Sequence, residues 1–197
     1  MSARPGPASP HPEEIPVSRV PLVSPESATG PVADGLDQIR AAFGGVPAMF
    51  RAVANSPAAL QSMWGAFGAL GTGTLGAAVG EQIAVAVANR NACEYCLAAH
   101  TALGRKAGVA RDDLTAAQDG AASDPRVEAL LRFALALVDE RGHVTAQDVQ
   151  AVRDAGWTDE QVVEVVAHVA LNLFTNYVNV ALEVPVDFPA VGLRRAA

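Results

Sequence analysis

The chain has 197 residues with 14 Lys and Arg against 21 Asp and Glu, a formal net charge of −7 and a pI near 5.0, and Lys106 is its one lysine; nucleic acid and anionic membrane surfaces are therefore not expected partners. Half of the residues are hydrophobic and only 18% are charged, enough for one domain with its own core and for an apolar face that other copies would cover in a homo-oligomer. No run of about 18 uninterrupted apolar residues occurs, which excludes an expected membrane span, and Met1–Pro31 lacks an apolar signal core, so the expected compartment is the reducing cytoplasm.

Residues 1–33 form the first segment. Prolines at 5, 7, 10, 12, 16, 21, 25 and 31 block helix and most sheet pairing. This composition reads as a disordered tail or as an extended arm; Ile15, Val17, Val20, Leu22 and Val23 would lay such an arm on a neighbouring subunit. Residues 34–184 are expected to form a helical domain, and residues 185–197 a C-terminal tail. Asp34 is a candidate N-cap for a helix over Gly35–Phe43, closed by Gly44-Gly45. Pro47 starts a helix running to about Ala54. Ser56-Pro57 reads as cap and first residue of a third, carrying Leu60, Met63, Trp64 and Phe67. Gly71–Gly76 is a flexible link. Ala77–Ala88 is apolar on nearly every face except at Glu81 and Gln82, and is expected to be buried.

A helix over Cys93–Ala107 follows, ended by Gly108, and then a short one over Asp112–Gln118. Pro125–Glu140 places Val127, Leu130, Leu131, Ala134 and Val138 at helical spacing. Thr145 caps a further helix stopped by Gly156. Thr158 with Gln161 makes a capping box for a long helix to about Leu182, apolar nearly all round between Val165 and Leu171. Pro185 and Pro189 are expected to end the ordered core. No alternating strand pattern competes, so the fold class is all-α.

Cys93 and Cys96 are the only cysteines. At this spacing two thiols can close a small disulfide ring or share a metal. At about 100° per residue, Cys93, Cys96 and His100 share one side of their helix. If Asn89–Ala92 is the turn of a helical hairpin, Glu81 stands level with His100. A carboxylate beside an imidazole fixes its tautomer and raises its basicity, and the imidazole can then deprotonate a thiol. The product is a Glu81–His100–Cys relay with a second thiol one turn away. It suits thiolate attack on a peroxide or disulfide, needing no metal or organic cofactor. Two alternatives stay open: a zinc-binding module, although Cys-x2-Cys-x3-His on one helix is a poor tetrahedral clamp, and a redox-inert helical interaction module with two packed thiols. His168, in the most apolar helix, reads as a core or interface histidine rather than a catalytic one. Asn172, Asn176 and Asn179 form a polar seam that either joins helices or lines a pocket above Cys96.

Glu81, Cys93, Cys96 and His100 match the Glu-x11-Cys-x2-Cys-x3-His pattern, and the chain here resembles the alkylhydroperoxidase D core within the carboxymuconolactone decarboxylase-like superfamily. The sharp match covers residues 81–108. Looser similarity to peroxidase-related members extends over Phe43–Leu60 and Leu171–Phe188. The resemblance implies an all-helical subunit that assembles as a trimer or hexamer, and a redox-active Cys93–Cys96 disulfide. It implies that Cys96 attacks a hydroperoxide, that Cys93 resolves the sulfenic acid, and that Glu81 and His100 relay protons. An external dithiol, lipoyl or thioredoxin-like, would restore the thiols. The decarboxylase branch lacks the cysteine pair, so lactone decarboxylation is not implied. One departure stands out: Tyr95 occupies a place where some peroxidase members carry histidine, with packing or a helix-surface contact as its plain role. Dipole reasoning alone favours Cys93 as the nucleophile, by about 0.3–1 kcal/mol. A positioned base contributes about 10²–10⁴-fold, so the balance falls to Cys96, with Cys93 expected nearer solvent to meet the reductant.

Overall fold

The computed structural model describes residues 18–194. Over these the chain is all-α: α1 Gly30–Phe43, α2 Ala48–Val53, α3 Pro57–Leu70, α4 Ala77–Arg90, α5 Glu94–Lys106, α6 Arg111–Ala117, α7 Pro125–Asp139, α8 Ala146–Asp154 and α9 Asp159–Ala181. Local chemistry sets the boundaries. Ser56, Asp124, Thr145 and Thr158 each accept a backbone N–H from the first turn they precede, and the last two complete capping boxes. Pro57 and Pro125 occupy first-turn positions, where no intrahelical N–H is required.

α4 is the axis of the molecule, packed by α5, α6, α7 and α9. Its sequence allows this. Gly80 and Gln82–Ala88 are all buried, and the small side chains among them let four neighbours approach closely. α5 doubles back antiparallel beside α4. A Cβ at Gly104 would meet Leu114 Cδ2 at 2.6 Å and Glu81 Cβ at 3.5 Å, so glycine there lets α5 pack closely against both α6 and α4. α9 crosses α4 and α5 and delivers its buried face, Val165, Val169, Leu171, Asn172, Thr175, Asn176 and Asn179, to the centre.

Two ends differ from the sequence-based expectation. α1 begins at Gly30, not Gly35, because Pro31 serves as a first-turn residue and Thr29 takes the extended cap position. The preceding segment lies on its own subunit. Arg19 N–H donates to Leu182 O at 2.8 Å and Val23 N–H to Arg51 O at 3.1 Å, while Val20, Leu22 and Val23 pack against the core. Neither a disordered tail nor an arm on a neighbour describes this part; Ile15 and Val17 fall outside the described residues. At the other end, Pro185 and Pro189 do not end the ordered core. Val184 is buried, Asp187 Oδ2 accepts the Ala48 N–H at 2.6 Å, and Arg194 exchanges backbone hydrogen bonds with the Asn89 amide. Proline stops the helix, but the extended chain beyond it straps α2 and α4.

The outer face of α9 exposes Val163, Val166, Ala170, Tyr177 and Val180, with Leu173 half-buried between them. The steps of three and four residues make this a continuous apolar seam. Charge placed on it should disfavour self-association. Light scattering of the wild-type chain is expected to give at least twice the subunit mass, with Val166→Glu shifting it toward one subunit. A wild-type species of single-subunit mass would remove the seam as a self-interface.

Candidate active site

The site begins at the hairpin between α4 and α5. Ala92 takes a left-handed conformation, φ 52°. Its N–H donates to Asn89 O at 3.1 Å, and the Cys93 N–H donates to Ala88 O at 2.9 Å. These two bonds form the left-handed closure that ends many helices. A non-glycine residue in this region costs about 1–2 kcal/mol, and two net hydrogen bonds of about 1 kcal/mol each offset it. Cys93 is thus the residue that finishes the closure of α4. It is also the N-cap of α5, its Sγ accepting the Cys96 N–H at 3.3 Å. One residue serves both helices, so the cysteine pair has little freedom to shift.

The sequence-predicted residues converge. The Nδ1–H of His100 donates to Oε2 of Glu81 at 2.8 Å, which confirms that Glu81 on α4 stands level with His100 on α5. Nε2 is left for the Cys96 side. α9 supplies what the cysteine spacing did not foretell: the Asn179 amide donates to Cys96 Sγ at 3.1 Å. Asn176 accepts from the Asn91 amide at 2.9 Å, tying the hairpin turn to α9. Asn172 only bonds back to His168 O. The asparagine seam therefore divides: Asn179 bonds the sulfur, Asn176 accepts from the turn with its amide group beside the sulfur, and Asn172 bonds back to its own helix. Their spacing along an apolar helix was the available signal for Asn179.

The environment separates the two thiols. Burial opposes a charge on Cys96, but a hydrogen bond from Cys93, the attraction of His100 and the amides of Asn179 and Asn176 outweigh it and lower its pKa to about 6. The bond to Cys96 and burial push the Cys93 thiol up, far from neutrality. Burial alone would lower the His100 pKa, but the Glu81 carboxylate raises it above the usual imidazole range. Both shifts favour a Cys96 thiolate beside a protonated His100. One expectation fails: Cys93 is not nearer solvent. It is 1% exposed and Cys96 2%, because the cap position tucks the sulfur under α5.

Cys96 and His100 open onto a cavity of about 40 Å³ with an otherwise mainly apolar wall that includes Met49, Phe50, Phe67, Tyr95 and Phe188. Phe43, partly exposed, stands at its mouth. The space suits a few water-sized molecules. Tyr95 is buried rather than on the surface. Its hydroxyl accepts the Met49 N–H at 3.2 Å and its ring meets Phe188 edge-on, centroids 5.7 Å apart. Phe188 belongs to the strap that the prolines concealed.

This is an all-helical protein built round a hairpin that sets a Cys-x-x-Cys pair against a Glu–His pair. The sequence profile of the carboxymuconolactone decarboxylase family matches residues 57–140. The chain is similar in structure to the alkylhydroperoxidase D core of an uncharacterized peroxidase-related protein from Ralstonia eutropha JMP134, with 26% identity, a TM-score of 0.77, and 87% of this chain and 94% of that chain covered. It is also similar to an uncharacterized peroxidase-related protein from Silicibacter sp. TM1040, with 21% identity, a TM-score of 0.75, and 93% and 96% covered. A third similar fold is the debrominase Bmp8 in its apo form, with 22% identity, a TM-score of 0.66, and 80% and 84% covered. No curated protein sequence is significantly similar to the chain. The family match and these similar folds together support a place in the alkylhydroperoxidase D and carboxymuconolactone decarboxylase-like superfamily.

The charge state gives a direct test. Cys96 should be thiolate above about pH 6 and thiol below it, while Cys93 stays protonated over the same range. The ultraviolet absorbance of the thiolate should therefore follow one titration near pH 6. His100→Ala removes the attracting charge, so the midpoint should rise by about one to two units toward the ordinary cysteine range of about 8.5. Glu81→Gln should move it the same way by less.

Proposed function

We propose that this chain is a thiol-dependent peroxidase and disulfide oxidoreductase that reduces hydroperoxides through Cys96 and Cys93. The observation that carries the proposal is the Cys96 sulfur, which takes the Asn179 amide at 3.1 Å beside an imidazole that Glu81 holds at 2.8 Å. A thiolate held below the usual cysteine range remains a nucleophile at neutral pH. Burial keeps water from competing, and the positive imidazole stands ready for the leaving oxygen.

The Cys96 sulfur attacks the distal oxygen of the hydroperoxide. An S–O bond forms as the O–O bond breaks. The sulfur loses two electrons, the peroxide gains them, and the alkoxide takes the His100 proton to leave as an alcohol. The Cys93 thiol then attacks the Cys96 sulfenic acid. Its proton leaves with the hydroxyl as water, and the two sulfurs join. An external dithiol reduces that disulfide. The raised pKa of Cys93 fits its part, since it stays a thiol and hydrogen-bond donor until a sulfenic acid is present.

The test is a peroxide-consumption assay in which dihydrolipoamide, thioredoxin and glutathione are offered separately, with thiols and metal counted before and after. Reversible loss of two thiols from metal-free protein, with turnover on a dithiol, is the expected result. Stoichiometric zinc without thiol loss would instead make this a zinc-binding module. Stable thiols with neither zinc nor turnover would make it a redox-inert interaction module. A further arm offers 2,3,4-tribromopyrrole, the compound bound in another structure of the debrominase neighbour. Loss of bromide in place of peroxide would move the chain to that chemistry.

The two sulfurs have separable roles. After one equivalent of peroxide, Cys93→Ser should retain a sulfenic acid at Cys96 that a dimedone-type reagent captures. Cys96→Ser should give none at Cys93. Label on Cys93 in the latter, with none on Cys96 in the former, would reverse the assignment. In the unaltered protein, mass spectrometry should find both cysteines in one peptide lighter by two hydrogens.

A further inference from the structure

His100 borders two spaces that differ in size and in polar groups. On one side lies the small apolar cavity at Cys96. On the other is a cavity of about 190 Å³ whose wall includes Glu81, His100, His168, Asn172, Gly80 and Gly76. It reaches the surface, since Gly71, Gly76 and Ala77 on its rim are all exposed. Its volume holds several waters, with polar groups to bind them. His168 is half-buried in this wall, and its Cε1 lies 3.1 Å from where a Cβ on Gly80 would stand. Glycine at position 80 therefore admits the imidazole to the wall near Glu81. The groups facing His168 are Glu164 from its own helix, Glu81 from α4 and His100 from α5; α3 contributes the apolar Phe67 and Leu70. Glu164 is held by the N–H groups of Thr74 and Leu75 at 2.8–2.9 Å, which fixes the rim.

The proton balance of the catalytic cycle creates a need for such a space. Attack on peroxide consumes the proton on His100. An external dithiol attacks the disulfide as a thiolate, having left its protons in bulk water. Two protons must therefore return, one to His100 and one to Cys93. Both sulfurs are almost wholly buried, and the apolar cavity must admit the reacting partners. We propose that the larger cavity behind His100 is the proton entrance of the site and that His168 is its exchanging base, passing protons from bulk water through cavity water to the Glu81–His100 pair. The proposal rests on the peroxidase function proposed above. His168 touches neither peroxide nor sulfur and is a positioning and exchange residue. Burial and the neighbouring His100 hold its pKa below the ordinary imidazole value, with Glu164 and Glu81 opposing them, so it is neutral and able to accept a proton near pH 7.

The test separates the first turnover from the rest. Reduced protein already carries its His100 proton, so sulfenic acid formation with one equivalent of peroxide should be the same in His168→Gln as in wild type, within about twofold. Steady-state turnover with saturating dithiol in weak buffer should fall at least about tenfold, since a positioned proton carrier contributes about 10²–10⁴-fold to a limiting transfer. Added imidazole should restore it, while non-buffering salt at equal ionic strength should not. Gly80→Ala keeps His168 but crowds its ring, and should show the same buffer dependence in milder form. Equal steady-state turnover in His168→Gln and wild type would overturn the proposal, as would equal loss in both phases or loss that imidazole does not restore. If wild type itself consumes no peroxide, the peroxidase function falls and this inference with it. If wild type turns over and the variant matches it, only the inference falls.

Discussion

Everything at the site hangs from Cys93 being the end of one helix and the beginning of the next. Its N–H closes α4 on Ala88 and its sulfur caps α5 on the Cys96 N–H. Hairpin geometry then does the rest. With the turn fixed at Asn91-Ala92, α5 folds back along α4 and brings His100 to Glu81. α9, tied to the same turn through Asn176 and Asn91, arrives with Asn179 at the sulfur. A slip of one residue in the turn would rotate α5 by about 100° and carry both Cys96 and His100 off the buried face.

The contrast between the thiols arises from side chains rather than from the helix end. A cysteine at an N-terminus gains at most about a unit from the dipole, and Cys93 has the terminal place. Yet Cys96, three residues inside, holds the negative charge, because an imidazolium, one thiol and two amides point at it. Two adjacent buried sulfurs do not both ionise, and the polar groups decide which one does. The same logic sorts the cavities. The sulfur faces a wall with almost no polar surface, while the carboxylate faces a larger space that also holds His168 and Asn172, and His100 reaches both.

Much of this was legible in the residues. Helix caps carry their own signatures, so the starts of α3, α7, α8 and α9 could be read from Ser56, Pro125, Thr145 and Thr158. The Glu81–His100 pairing followed from counting out from a hairpin turn. What stayed hidden was non-local. Proline signals at 185 and 189 correctly stop a helix, but they say nothing of whether the extended chain packs. Asp187, Phe188 and Arg194 show that it does. The burial of Cys93 was likewise misjudged from its place at a helix end, where α4 and α5 together cover it. Asn179 was visible as part of a seam, but its partner lies 83 residues away, and no local pattern names that partner. The start of α1 lay hidden because Pro31 closes a run of prolines that block helix, yet it sits in the first turn.

The cap on α5 has a thermodynamic consequence. If Cys93 joins Cys96 as proposed, its sulfur becomes a poorer acceptor, and the first turn of α5 gives up a bond of about 1 kcal/mol. The reduced pair is then favoured by that amount, equivalent to about 20 mV in a two-electron couple. Linkage runs in both directions: a contact that tightens the first turn of α5 makes the couple more oxidising, and oxidation loosens the turn. In the proposed cycle the helix end would double as a local gauge of redox state, read in the amide exchange of Cys96.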